Sequence, residues 1–160
     1  MTLPSSSNRV GYAGTASAGD IYTAANHAKM PGGWLGYDSI TSDAAYDDTE
    51  AAVTGLSVTV SVGANRLLKV TASFDFTQDK DGETTFSIGQ DGTKLPGGAL
   101  TIPGTTNQPR THVSYFVLAS PTSGSHTYAV IAKASAYHDG VIKGSPTGYI
   151  LVEDLGPVPA

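Results

Sequence analysis

A chain of 160 residues, 39% apolar and 14% charged, is long enough for one domain with a proper core and is polar mostly through uncharged groups. Its net charge of −5 comes with only nine Lys and Arg and no cluster of them, which argues against nucleic-acid binding by phosphate neutralisation. The lack of any cysteine excludes a disulfide framework and a thiolate zinc site. No apolar run approaches the ~18 residues that cross a bilayer, so membrane insertion is not expected.

Residues 1–33 carry three charged side chains, Arg9, Asp20 and Lys29, among Ala, Ser, Gly and Thr. Such a segment cannot bury a core of its own, and it lacks the charge that keeps a free tail solvated. It reads as an attachment arm that lies against its own domain or a neighbouring subunit. Asp20 as N-cap, alanines within and Gly32-Gly33 beyond predict one short helix at about Ile21–Lys29, which forms only when docked. The start, Met1–Val10, has neither the basic end nor the apolar stretch of an export signal.

From Trp34 the period changes to two, and residues 34–160 form the second unit. Leu56, Val58, Val60 and Val62 alternate with Ser57, Thr59 and Ser61, a half-buried strand. Leu68, Val70, Ala72, Phe74 and Phe76 alternate with Lys69, Thr71, Ser73 and Asp75, a longer one. Asp81-Gly82 predicts a hairpin into Glu83–Ile88, and Asp91-Gly92 a second one into a Pro/Gly-rich crossing at Leu95–Gly104. His112–Leu118 is apolar on both faces, as a central strand is. Ser123-Gly124 turns into His126–Lys133, and Tyr149–Asp154 supplies a last strand. Seven to nine strands with turns every eight to twelve residues predict an all-β fold: an antiparallel jelly-roll-like sandwich behind a mostly irregular N-terminal arm with its one short helix. An immunoglobulin-like topology fits almost as well.

Candidate chemistry is sparse. Asp79-Lys80-Asp81-Gly82-Glu83 has the clustered oxygens a calcium ion wants, but not the acidic residue twelve positions after the first ligand; a solvated turn explains it better. Asp43, Asp47, Asp48 and Glu50 form an acidic patch, the raw material of a paired-carboxylate hydrolase, in what reads as a loop. His112, His126 and His138 lie in neighbouring segments without metal-ligand spacing. Ser125-His126 and Tyr137-His138-Asp139 lack a nucleophile elbow. No catalytic residue, cofactor or metal is assigned. Phe74, Phe76, Phe86 and Phe116 fall at strand positions and read as core. The tyrosines are a surface-leaning set: Tyr12, Tyr22, Tyr37 and Tyr46, with Ile21 and Trp34, are the candidate interface residues, and sugar stacking is the other use of such rings.

The stretch Ala18-Gly19-Asp20-Ile21-Tyr22-Thr23-Ala24-Ala25-Asn26 resembles a motif near the start of many bacteriophage virion proteins, a Gly-acidic-x-Leu-Thr-Ala-Ala-x-x-Asn segment ahead of a β-rich domain of tail-fibre or minor tail type. Here Tyr22 stands where leucine is usual and Asn26 comes early. Pro31-Gly32-Gly33-Trp34-Leu35-Gly36-Tyr37 and Tyr149-Ile150-Leu151-Val152-Glu153-Asp154-Leu155-Gly156-Pro157 also resemble segments of actinobacteriophage structural proteins. The resemblance implies a non-enzymatic virion structural protein, a trimeric jelly-roll module of minor tail, fibre or spike type anchored by its arm. Capsid decoration is the alternative placement. Its expected partners are further copies of itself and other virion proteins, with host surface glycan as the rival of another class. It implies location in the virion after assembly in the host cytoplasm.

Overall fold

The computed structural model describes residues 32–78, 81–104, 109–145 and 148–159. They form ten strands: β1 (Gly33–Ile40), β2 (Ala44–Tyr46), β3 (Ala51–Val62), β4 (Arg66–Gln78), β5 (Gly82–Gln90), β6 (Thr93–Gly104), β7 (Thr111–Ala119), β8 (Gly124–Ala134), β9 (Gly140–Lys143) and β10 (Gly148–Pro157). The arm, with the helix expected at Ile21–Lys29, lies outside the described residues.

Every strand pair is antiparallel, and the strands make two sheets packed face to face. Sheet I runs β1-β10-β4-β7; β9 follows β10 along the same edge of β4 and carries β2 on its far side. Sheet II runs β3-β8-β5-β6. The alternation in β4 explains its place: Leu68, Val70, Ala72, Phe74 and Phe76 point between the sheets and are fully buried. Phe86 of β5 closes on them from the other sheet, its ring edge-on to Phe74 and Phe76, both at 4.9 Å, and to Tyr46 at 5.5 Å.

Consecutive strands mostly cross from one sheet to the other. Among the described residues only β5 and β6 are consecutive and paired, around Asp91-Gly92. Both residues have positive φ, 51° and 81°, the backbone of a type I′ turn, which glycine takes at no steric cost. Asp81-Gly82 makes no hairpin, because β4 and β5 belong to different sheets. The Pro/Gly-rich run at Leu95–Gly104 is not a crossing either. It is most of β6, the edge of sheet II, where proline can sit because its missing N–H faces no neighbour.

Two further expectations fail for one physical reason. His112–Leu118 is not a central strand: among the described residues β7 pairs only with β4 and is an edge of sheet I. Phe116 is not core: its ring stands on the outer side of that strand, 56% exposed, while Val113, Val117 and Ala119 take the inner side. The apolar residues on the second face of β7, Phe116 and Leu118, thus stand exposed on the outside of the sheet.

A buried ion pair fastens the end of sheet I. Arg66 at the start of β4 donates from Nε to both carboxylate oxygens of Asp154 on β10, at 3.0 and 2.9 Å, and from Nη2 at 2.7 Å. The Gly156 amide donates a further bond to Asp154 Oδ1 at 2.9 Å.

Candidate binding face

The register of sheet I places its outward side chains in rows. One row reads Trp34, Glu153, Lys69, Leu118 from β1 to β7; the next reads Tyr37, Leu151, Thr71, Phe116. Neighbouring strands are about 4.8 Å apart, so each row is a continuous strip. Trp34 is 73% exposed, Tyr37 52% and Leu118 50%, and Leu155 extends the face at its end. Tyr37 stacks on Tyr149 of the neighbouring strand, ring centroids 5.9 Å apart.

The charges inside this face cancel locally. Lys69 Nζ lies 3.3 Å from Glu153 and 5.4 Å above the Phe116 ring. At its rim Asp75 accepts from Arg110 Nε and His112 Nδ1, both at 2.6 Å. Those bonds, the one to His112 foremost, hold the Asp75 carboxyl below the usual carboxylate range. The result is a surface of exposed aromatic rings whose charges are paired. Large apolar side chains exposed together on one face mark an interaction site.

Sheet II presents the opposite chemistry. Its outer face carries Ser57, Thr59, Ser61, Thr85, Thr101 and Thr127, with hydroxyls bonded across strands between Thr59 and Thr127 at 2.8 Å and between Thr85 and Thr101 at 3.1 Å. A groove of about 270 Å³ there is floored by small side chains, Ala51, Ala52, Ser57, Gly89 and Ala129.

Of the six candidate interface residues, Trp34 and Tyr37 stand on the outer face of sheet I, and Tyr12, Ile21 and Tyr22 lie outside the described residues. Tyr46 is a core residue, 8% exposed, and reaches no surface. Its hydroxyl lies 3.3 Å from Thr84 Oγ1, which donates to Gln78 Oε1 at 2.8 Å. Its ring fills the space that a side chain on Gly140 would need, so glycine is required there. Phe116, which reads as core from sequence, belongs to the face, as do Leu118, Tyr149 and Leu155, which are not among the candidate interface residues. The signal lay in the two-faced apolarity of residues 112–118.

The acidic patch does not converge. Asp43 accepts from Lys143 Nζ at 2.8 Å and the Gly144 amide at 3.0 Å, which lower its pKa. Asp47 accepts from the Thr49 amide, Asp48 from the Tyr137 amide, and Glu50 from Lys94 Nζ at 2.7 Å. The histidines are likewise separated: His112 belongs to Asp75, and His126 donates from Nδ1 to Asp91 Oδ2 at 2.7 Å and from Nε2 to the Thr122 carbonyl at 2.9 Å. His138 sits in the β8–β9 connection, its backbone N–H donating to the Ser135 carbonyl at 3.1 Å. Among the described residues no three His, Asp or Glu side chains are grouped to hold a metal ion. Asp79 and Lys80 of the calcium-like stretch lie outside them.

No family model and no curated protein matches the chain. A solved structure described as "CBM4 structure and function" is similar at 14% identity over 74% of this chain and 94% of that one, with a TM-score of 0.34, a likeness too distant to assign a function.

Proposed function

We propose that this chain is a non-enzymatic structural protein of a bacteriophage particle, a homotrimeric minor tail, fibre or spike module whose residues 1–33 anchor it to a neighbouring virion protein. Counted over the eight long strands, the sheets run 1-8-3-6 and 2-7-4-5, an order we read as a jelly roll. The observation that supports an assembly role is the outer face of sheet I, where Trp34, Tyr37, Phe116 and Leu118 stand exposed together. The β1 and β10 segments that resemble virion proteins are hydrogen-bonded partners and supply three of that face's aromatic rings, Trp34, Tyr37 and Tyr149.

Gold-labelled antibody raised against the chain should decorate phage particles, and the purified full-length protein should have three times the single-chain mass by light scattering. A second reading, a host-glycan-binding module, is favoured by the exposed Trp34 beside the stacked Tyr37–Tyr149 pair, since sugars stack on such rings. A glycan array separates the two: specific binding by a single-chain protein, abolished in Trp34→Ala, decides for the glycan.

A further inference from the structure

We infer that the outer face of sheet I is the contact surface between copies of this chain, with β7 at the centre of the contact. The inference rests on the assembly reading above and names its partner.

Three observations converge. The first is area. At roughly 200 Å² for a large aromatic ring, the exposed parts of Trp34, Tyr37, Phe116, Leu118 and Leu155 offer on the order of 600 Å². A standard interface takes about 800 Å² from each partner, a total that half-buried Leu67, Leu151 and Tyr149 on the same side of the sheet bring within reach.

The second is charge. Lys69 and Glu153 neutralise each other inside the face, and Asp75, Arg110 and His112 do so at its rim. A basic, acidic or phosphorylated partner finds no free countercharge among these groups. A surface of the same neutral, apolar make-up is complementary, and every other copy of the chain carries one. Paired charges at the rim also cost little to cover.

The third is the edge. Sheet edges that face solvent are normally blunted by proline, bulges or short length. β1 has a bulge between Trp34 and Gly36, β3 has one between Ala52 and Ser57, and β6 carries Pro96 and Pro103. β7 pairs with β4 without a break over nine residues and contains no proline, Lys, Arg, Asp or Glu. An edge of that kind, unpaired among the described residues and beside exposed apolar side chains, is protected once another copy covers both.

The test uses the full chain. Because it contains no cysteine, single-cysteine variants report contacts between copies without background. Ser114→Cys lies on the outer side of β7; Ser61→Cys, on the outer side of sheet II, is the control. Mild oxidation should cross-link Ser114→Cys into dimers and leave Ser61→Cys single. The double variant Phe116→Lys/Leu118→Lys should fall to single-chain mass in light scattering while keeping its far-ultraviolet circular dichroism. A multimer that survives the double variant, or cross-linking confined to Ser61→Cys, overturns the inference and leaves the assembly reading standing. A single-chain mass for the unmodified protein at all concentrations also overturns it, and antibody labelling of particles then decides whether the assembly reading falls too.

Discussion

His126, with its partner Asp91, is a place where pH should act on this fold. Nδ1 faces the Asp91 carboxylate at 2.7 Å, with the Gln90 Nε2 amide 3.2 Å away, and Nε2 faces the Thr122 carbonyl at 2.9 Å, surroundings that favour the protonated ring. The bond to Asp91, then that to Thr122, raises the pKa of His126; the bond from His126, then the Thr127 amide, lowers that of Asp91. The histidine therefore contributes stability below its ordinary 6.5 and loses it as pH rises through the raised folded value. The aspartate contributes above 3.8 and loses it as pH falls through the depressed one. Melting temperature should decline from pH 6 to pH 9 in the native chain, and His126→Gln should flatten that slope; an unchanged slope would sink the assignment. Two buried tyrosines make a matched comparison. Tyr46 has hydroxyl partners, so Tyr46→Phe should cost about 0.5–1.5 kcal/mol in urea unfolding. The Tyr115 hydroxyl is buried with no hydrogen-bond partner among the described residues, and burial pushes its pKa above the ordinary value. Tyr115→Phe should therefore be neutral or stabilising.

At the scale of elements, stability depends on how strands are tied at their ends. Removing one partner of the Arg66–Asp154 pair strands a buried charge, so Asp154→Ala should cost about 3–5 kcal/mol, read by urea unfolding. The β5–β6 turn needs positive φ at Gly92, and Gly92→Val should cost about 1–2 kcal/mol while leaving Phe86 packing intact by fluorescence and near-ultraviolet dichroism. These elements also show what the sequence made legible. β4 announced itself because one of its faces is core and the other polar, which is the condition under which a period of two is visible. β7 did not, because Phe116 and Leu118 are apolar on an exposed face and mimic the signature of a central strand. Asp81-Gly82 and Asp91-Gly92 are alike as dipeptides, yet only the second closes a hairpin, since which sheet the next strand joins is decided by distant packing. Tyr46 precedes Asp47 and Asp48 and reads as surface; its ring is drawn inward by Phe86, a contact forty residues away that no local pattern records.

For the whole molecule, one feature of the strand order governs how it is made. β10 lies between β1 and β4, and it is hydrogen-bonded to both along most of its length. Neither β1 nor the β10-facing edge of β4 can be completed until residue 157 has left the ribosome. At about 5–20 residues per second, the hundred-odd residues separating Ile40 from Gly148 take roughly 5–20 s to synthesise. During that interval Val70, Phe74 and their neighbours lack the strand that covers their flank, so the nascent chain should keep apolar surface exposed until β10 emerges. Ribosome-stalled chains ending before residue 148 should be degraded readily by added protease, and chains extended enough to expose residue 157 should resist it. Slow translation at any point between β4 and the emergence of β10 lengthens that interval, a constraint on synthesis written by the position of a single strand.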